Sequence, residues 1–204
     1  MENTVKIEKL SLTDRLRALF KGVLDPIGAF LNNLGLTPNM ITMLGLAGNV
    51  VGAIFIARGQ IVLGGVMVLL MWPVDALDGT MARLRGEPSD FGAFVDSVTD
   101  RYSELFVFGG LLYYFVAQGD LLASMLVFIS ASGSVLVSYT RARAEGLGYS
   151  AKNGALTRVE RYLVLAPGLL FNIPVISMWI LAIFANFTAL QRIWFVRRQA
   201  HKDF

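Results

Sequence analysis

Six long apolar stretches, separated by short polar links, occupy most of this 204-residue chain. Hydrophobic residues make up 55% of the sequence and charged residues only 16%, whereas a soluble domain is about a quarter charged. A membrane-crossing helix needs about 20 mostly apolar residues. We therefore predict a single all-α integral membrane domain over residues 1–204, whose core (40–196) holds six transmembrane helices: Met40–Ala57, Ile61–Arg83, Phe91–Ala117, Leu121–Ala144, Arg158–Phe171 and Val175–Val196.

The distribution of basic residues predicts how these helices are oriented. Very short turns join three antiparallel pairs, at Arg58-Gly59-Gln60, Gln118-Gly119-Asp120 and Asn172-Ile173-Pro174. Of the 18 lysines and arginines, Arg58 alone falls on the side of these turns. Because cytoplasmic loops carry the excess of basic residues, we predict a plasma-membrane protein with both termini in the cytoplasm. Nucleic acid is not an expected partner, since the basic residues flank apolar spans instead of forming one solvated face.

Residues 10–34, which precede the core, are predicted to form an amphipathic helix. Ser11 or Thr13 is a suitable helix cap. Apolar residues recur at spacings of three or four with basic residues beside them: Leu16, Phe20, Val23, Ile27 and Phe30, with Arg15, Arg17 and Lys21. Such a helix lies in the cytoplasmic interface of the bilayer, or packs on the rest of the domain, or does both.

Four aspartates lie in the second and third stretches, where charge near a bilayer is costly and usually functional. In the second stretch, positions that share one helical face carry two carboxylates, two small residues and one guanidinium: Asp75, Asp78, Gly79, Ala82 and Arg83. In the third, residues spaced by four share a face: Gly92, Asp96 and Asp100. A tight turn over Leu84–Asp90 would bring the two faces together as a helical hairpin.

The aspartates favour a site for divalent cations that bind a pyrophosphate. Four like charges cannot all stay ionised and unpaired in a low dielectric. The chain has no cysteine and one histidine, His201 in the polar tail, so the ligands would be oxygens, which suit Mg²⁺, Mn²⁺ or Ca²⁺. Small residues leave room for a ligand, and Arg83 suits phosphate. A salt-bridged cluster that only stabilises a helix pair and the ion path of a cation transporter are the alternatives.

The pattern Asp75-x-x-Asp78-Gly79-x-x-Ala82-Arg83, eight residues, Gly92-x-x-x-Asp96-x-x-x-Asp100 resembles the signature of the CDP-alcohol phosphotransferase family at every defined position. The resemblance implies that Asp75, Asp78 and Asp96 hold two ions, Mg²⁺ or Mn²⁺, with Asp100 as a further ligand and as the general base. It also implies that a CDP-linked lipid is bordered by the small and basic residues of the signature and by a tetrapeptide before the first span: Gly79, Ala82, Arg83 and Gly92, with Thr37, Pro38 and Asn39 of Leu36-Thr37-Pro38-Asn39.

A second basic group follows in Ser138–Gly148 and Leu156–Tyr162. Several arginines around one pocket suit an acceptor that carries its own phosphate, and the candidates are Arg141, Arg158, Arg161 and Arg192. The stretch resembles the corresponding region of phosphatidylinositol-phosphate synthases, although a lysine is usual there in place of Arg141. This implies transfer of a phosphatidyl or archaetidyl group to inositol phosphate with release of CMP; glycerol 3-phosphate is the alternative acceptor. The family resemblance further implies a homodimer.

Overall fold

The chain folds as an all-helical protein. The computed structural model describes residues 12–86, 89–151 and 154–201, with side chains from residue 19 onward. Within these residues there are seven helices and no strand: α1 (Leu12–Asn33), α2 (Pro38–Ala57), α3 (Ile61–Arg85), α4 (Asp90–Ala117), α5 (Leu121–Glu145), α6 (Arg158–Leu170) and α7 (Pro174–Ala200). The all-α prediction is confirmed, and the predicted bounds hold closely, except that α7 continues beyond Val196 to Ala200.

Local signals set the helix ends that later border the site. The side chain of Thr37 accepts a hydrogen bond from the Met40 amide at 3.3 Å, and Pro38 occupies the first turn of α2. Ser89 caps α4 in the same way, accepting from the Gly92 amide at 3.0 Å. Helix α3 ends at Gly86, whose φ of 69° is left-handed and therefore favours glycine. Two N-terminal caps and one C-terminal glycine thus set where α2 and α4 begin and where α3 ends.

Helix α2 packs against both α3 and α4, and α5 packs against α7. Glycines allow the closest of these approaches: a Cβ on Gly64 would lie 2.6 Å from the carbonyl oxygen of Gly52. Small residues of this kind let helix backbones meet inside a membrane. The buried core is formed by large apolar side chains of α2 to α7, among them Ile56, Val68, Phe108, Leu111, Leu126, Leu169, Met178 and Leu181.

Four helices of the described part, α2, α3, α5 and α7, are long and apolar enough to cross a membrane. Helix α6 has 13 residues, about 20 Å at 1.5 Å per residue, and is shorter than the hydrocarbon core of about 30 Å. Helix α4 has 28 residues but carries four charged residues within 96–104, namely Asp96, Asp100, Arg101 and Glu104. Of the six predicted spans, four are therefore candidate membrane spans by their length and composition.

Helix α1 packs on α3 through Gly28, where a Cβ would lie 3.3 Å from Cγ2 of Thr80. On its other side it exposes apolar residues of the predicted amphipathic pattern: Phe20, Val23, Ile27 and Phe30. Ser11, one of the predicted caps, lies outside the described residues. The side chains of Thr13, Arg15, Leu16 and Arg17 also lie outside the described part. The position of α1 in the interface stays a prediction.

Candidate active site

Three of the four aspartates converge between α3 and α4. Asp75, Asp78 and Asp96 each place one carboxylate oxygen within 4.8 Å of the others. Asp78 is buried, whereas the other two are half-buried. Divalent cations bind carboxylate oxygens at about 2.0–2.6 Å, so a single ion can bridge oxygens up to about 4–5 Å apart. The predicted aspartate faces of α3 and α4 thus come together, and their donor set fits a hard cation.

A residue not predicted from the sequence, Thr42 of α2, orients the buried member of this cluster. Its hydroxyl donates to Oδ2 of Asp78 at 2.6 Å, and the Gly79 amide donates to Oδ1 at 2.5 Å. Partners of this kind hold a ligand carboxylate in one orientation. The available signal for Thr42 was its place one helical turn after Pro38, on the face of α2 that starts with the tetrapeptide motif.

Asp100 lies one turn beyond Asp96 on α4 but outside the group of three. Its buried carboxylate pairs with Arg158 of α6, and Arg101 approaches its Oδ2 to 3.3 Å. Arg158 also pairs with Asp75. One guanidinium therefore joins an aspartate from each helix of the hairpin and supplies the countercharge that a buried carboxylate requires. The role of Asp100 as metal ligand and base stays a prediction.

The remaining predicted acceptor arginines differ in their surroundings. Arg161 is buried and donates to both carboxylate oxygens of Glu104, at 2.8 and 3.1 Å. Arg192 is buried and donates to the Val137 carbonyl oxygen. Arg141 is exposed and pairs with Glu145 at 2.9 Å. The contact of Arg192 with Val137 lies four residues before Arg141 in α5, so these two arginines are near the same end of that helix.

A cavity of about 420 Å³ opens between the start of α2, the end of α3 and the start of α4. Its wall contains all seven residues predicted to border the CDP-linked lipid: Thr37, Pro38, Asn39, Gly79, Ala82, Arg83 and Gly92. Asp78 and Asp96 also line it, so two of the predicted metal ligands share one space with the residues predicted to border the nucleotide. The wall further includes Thr42 and Arg85, which the sequence pattern did not single out as site residues.

Two glycines of the wall lie next to polar side chains. A Cβ on Gly79 would lie 3.5 Å from Nη1 of Arg83, so the guanidinium lies over a position without a side chain. Nη2 of Arg83 donates to Thr80 at 2.9 Å. A Cβ on Gly92 would lie 3.0 Å from the Ser89 hydroxyl that caps α4. The arrangement offers carboxylate oxygens for cations and a guanidinium for phosphate in the wall of one cavity.

The family model described as CDP-alcohol phosphatidyltransferase matches residues 35–190. The chain is 37% identical to the phosphatidylinositol phosphate synthase of Streptomyces avermitilis, over 97% of this chain and 87% of that protein. It is 33% identical to the archaetidylinositol phosphate synthase of Pyrococcus horikoshii, over 92% and 98% respectively.

Solved structures are similar to this fold as well. The crystal structure of Mycobacterium tuberculosis phosphatidylinositol phosphate synthase with CDP-DAG bound superposes with a TM-score of 0.81 at 33% identity, covering 86% of this chain and 94% of that chain. The same Mycobacterium tuberculosis protein in complex with manganese and citrate gives a TM-score of 0.82 at 32% identity, covering 85% and 88%.

Proposed function

The chain belongs to the CDP-alcohol phosphatidyltransferase family, and on that premise we propose that it transfers the phosphatidyl or archaetidyl group of a CDP-linked lipid to inositol phosphate. The acceptor hydroxyl oxygen would attack the phosphorus on the lipid side, the bond to the other phosphate would break, and CMP would leave. The observation that carries the proposal is the shared cavity, whose wall combines carboxylates of the aspartate cluster with every predicted nucleotide residue.

Asp75, Asp78 and Asp96 would hold divalent cations, two of Mg²⁺ or Mn²⁺, which neutralise the pyrophosphate and the charge that develops on CMP. Thr42 and the Gly79 amide keep Asp78 oriented for that task. Arg83 presents a guanidinium suited to phosphate oxygens. The protein would thus hold charged groups in fixed orientations around the phosphates. Groups fixed in this way stabilise a phosphoryl-transfer transition state.

Asp100 is proposed as the general base that takes the proton from the acceptor hydroxyl. It is buried on the far side of Asp96 from the nucleotide motif, next to Arg158. Arg158 lies where the aspartates end and the arginine-rich region begins. This position supports a contact between Arg158 and the acceptor phosphate while Asp100 receives the proton.

For the acceptor phosphate we propose Arg141 and Arg158 as the direct contacts. Arg161 and Arg192 are buried, whereas Arg141 and Arg158 are more exposed, so Arg161 and Arg192 would add positive charge to the region without contacting the phosphate. The names of the relatives from Streptomyces avermitilis and Pyrococcus horikoshii support inositol phosphate over glycerol 3-phosphate. The earlier alternative of a cation transporter has no support from the family match.

We further propose that residues 1–204 form one plasma-membrane domain. In this domain α4 and α6 would cross the membrane together with α2, α3, α5 and α7, which gives six spans. Helix α1 would lie in the cytoplasmic interface, which its exposed Phe20, Val23 and Phe30 support. Both termini and the site would then face the cytoplasm, where the basic residues concentrate. The proposed assembly is a homodimer.

An acceptor panel tests the reaction. Purified protein in detergent is incubated with CDP-diacylglycerol or its diether counterpart, Mg²⁺ or Mn²⁺, and inositol phosphate, glycerol 3-phosphate, inositol or serine. We expect CMP release with inositol phosphate, and little with free inositol, because the arginines require a phosphate. CMP release with glycerol 3-phosphate but not with inositol phosphate would overturn the acceptor assignment. No CMP release with any acceptor would overturn the proposed function.

A further inference from the structure

Two polar side chains outside the sequence motifs connect the first helix to the wall of the cavity. Nε of Arg85, at the end of α3, donates to Oδ1 of Asn32 in α1 at 2.7 Å. The Asn32 amide nitrogen donates in turn to the Met81 carbonyl oxygen at 3.2 Å. Nη2 of Arg85 donates to the Leu36 carbonyl oxygen at 2.6 Å. Each of these three bonds joins residues that are 49 or 53 positions apart in the sequence.

These bonds fix the backbone just before the tetrapeptide motif. Leu36 precedes Thr37, the residue that caps α2 and lines the cavity. The link from α1 turns at Gly35, whose φ of 81° is left-handed, and the Leu36 amide donates to the Leu31 carbonyl oxygen at 3.2 Å. Because the carbonyl oxygen of Leu36 accepts from Arg85, the start of α2 is tied to the end of α3.

The side chain of Arg85 is suited to this task by its shape. A guanidinium offers Nε and Nη2 as two donors along one planar edge, whereas a lysine places all its donors on a single nitrogen. Arg85 uses that edge to reach a side chain of α1 and a main-chain oxygen before α2 at the same time. Asn32 presents its oxygen to Arg85 because its amide nitrogen is held by α3.

We propose that Arg85 and Asn32 are positioning residues for the nucleotide half of the site, so that the seating of α1 on α3 sets the affinity for the CMP portion of the substrate. The inference rests on the proposed function. Asn32 does not line the cavity and would act only through Arg85 and the Leu36 backbone. A phosphate-binding role of Arg85 would depend on its charge, whereas a positioning role depends on its fork of donors.

The test measures CMP binding in the presence of Mg²⁺ by calorimetry, together with KM for CDP-diacylglycerol and for inositol phosphate. Loss of a hydrogen bond to a charged group corresponds to about tenfold or more in an equilibrium constant. We expect Asn32→Ala and Arg85→Lys each to weaken CMP binding about tenfold and to raise KM for the CDP-lipid. KM for inositol phosphate should stay within about twofold, and the double variant should be no weaker than the weaker single variant, since the residues act as a unit.

Arg58→Lys, on the opposite end of α2, is the matched control and should bind CMP like the wild type. Asn32→Asp keeps an oxygen that accepts from Arg85 but loses the donor to Met81, so it should bind CMP more tightly than Asn32→Ala; it also serves if Asn32→Ala does not fold. Wild-type CMP affinity in Asn32→Ala, or in Arg85→Lys while Arg85→Gln is impaired, would overturn the inference. Equal loss in Asn32→Asp and Asn32→Ala would overturn it too. Absence of CMP release by the wild type would instead count against the proposed function.

Discussion

The ion pair between Glu104 of α4 and Arg161 of α6 combines good geometry with burial, because only 12% and 4% of the two side chains are exposed. Glu104 lies one turn after Asp100, and Arg161 lies one turn after Arg158, so the pair sets the register in which Arg158 meets Asp100. Removal of one partner from a buried pair costs about 3–5 kcal/mol, because a charge is left without compensation. Replacement of both by apolar residues of similar volume is often neutral or stabilising.

We therefore expect Glu104→Met and Arg161→Met each to lower the free energy of unfolding by about 3–5 kcal/mol. The double variant should recover most of that loss. Unfolding in mixed micelles, followed by circular dichroism, gives the four free energies of a double-mutant cycle. Glu145→Met is the matched control, since the Arg141–Glu145 pair has side chains 48% and 44% exposed and exposed pairs contribute at most about 1 kcal/mol.

Single losses below about 1 kcal/mol, or losses that simply add in the double variant, would refute this reasoning. Either result would mean that Arg161 is not committed to Glu104, and its guanidinium would then be available for the acceptor phosphate. A stable double variant that still turns over slowly would separate the fold from the reaction. Its KM for inositol phosphate would then measure what the charge of Arg161 contributes.

Three further predictions concern the aspartates and their partners. Asp100→Asn should abolish CMP release yet largely retain CMP binding measured by calorimetry; loss of both would make Asp100 chiefly a metal ligand. Thr42→Val should raise the Mg²⁺ concentration needed for half-maximal CMP release by about 10–100-fold, the usual effect of removing a partner of a metal ligand, whereas Thr42→Ser should not; equal behaviour of the two would show that the hydroxyl on Asp78 is dispensable. Removal of divalent ions with EDTA should stop CMP release, and added Mg²⁺ or Mn²⁺ should restore it; activity that persists in excess chelator would contradict a metal-dependent transfer.

Most of the fold was predictable because apolar length and short glycine turns are local signals. The helix bounds followed from them, and so did the aspartate hairpin, since positions three and four apart share a helical face whatever the tertiary structure. The surroundings of the arginines were not predictable in this way. Arg158 and Arg161 look alike in the sequence, but one meets Asp75 and Asp100 whereas the other meets Glu104.

Thr42 and Arg85, two cavity residues that the sequence did not predict, were missed for the same physical reason. Thr42 meets Asp78 across 36 positions of sequence, and Arg85 meets Asn32 across 53. A threonine inside an apolar helix and an arginine at a helix end are ordinary residues by pattern, because threonine can bond to its own helix and arginine favours the C-terminal end. Their roles depend on which helix lies opposite, which is a property of packing and not of periodicity.

The close approach of Gly52 and Gly64 sets the spacing of α2 and α3. It therefore affects the width of the cavity from a point outside the cavity wall. This contact lies ten residues from Thr42 along α2, about 15 Å at the helical rise, and the Thr42–Asp78 bond holds the same two helices at the other end. Helices α2 and α3 are therefore held together at two points, by the glycine contact and by the Thr42–Asp78 hydrogen bond. A side chain added at Gly64 would push α2 and α3 apart at this contact. The cavity would then widen although no residue of its wall had changed.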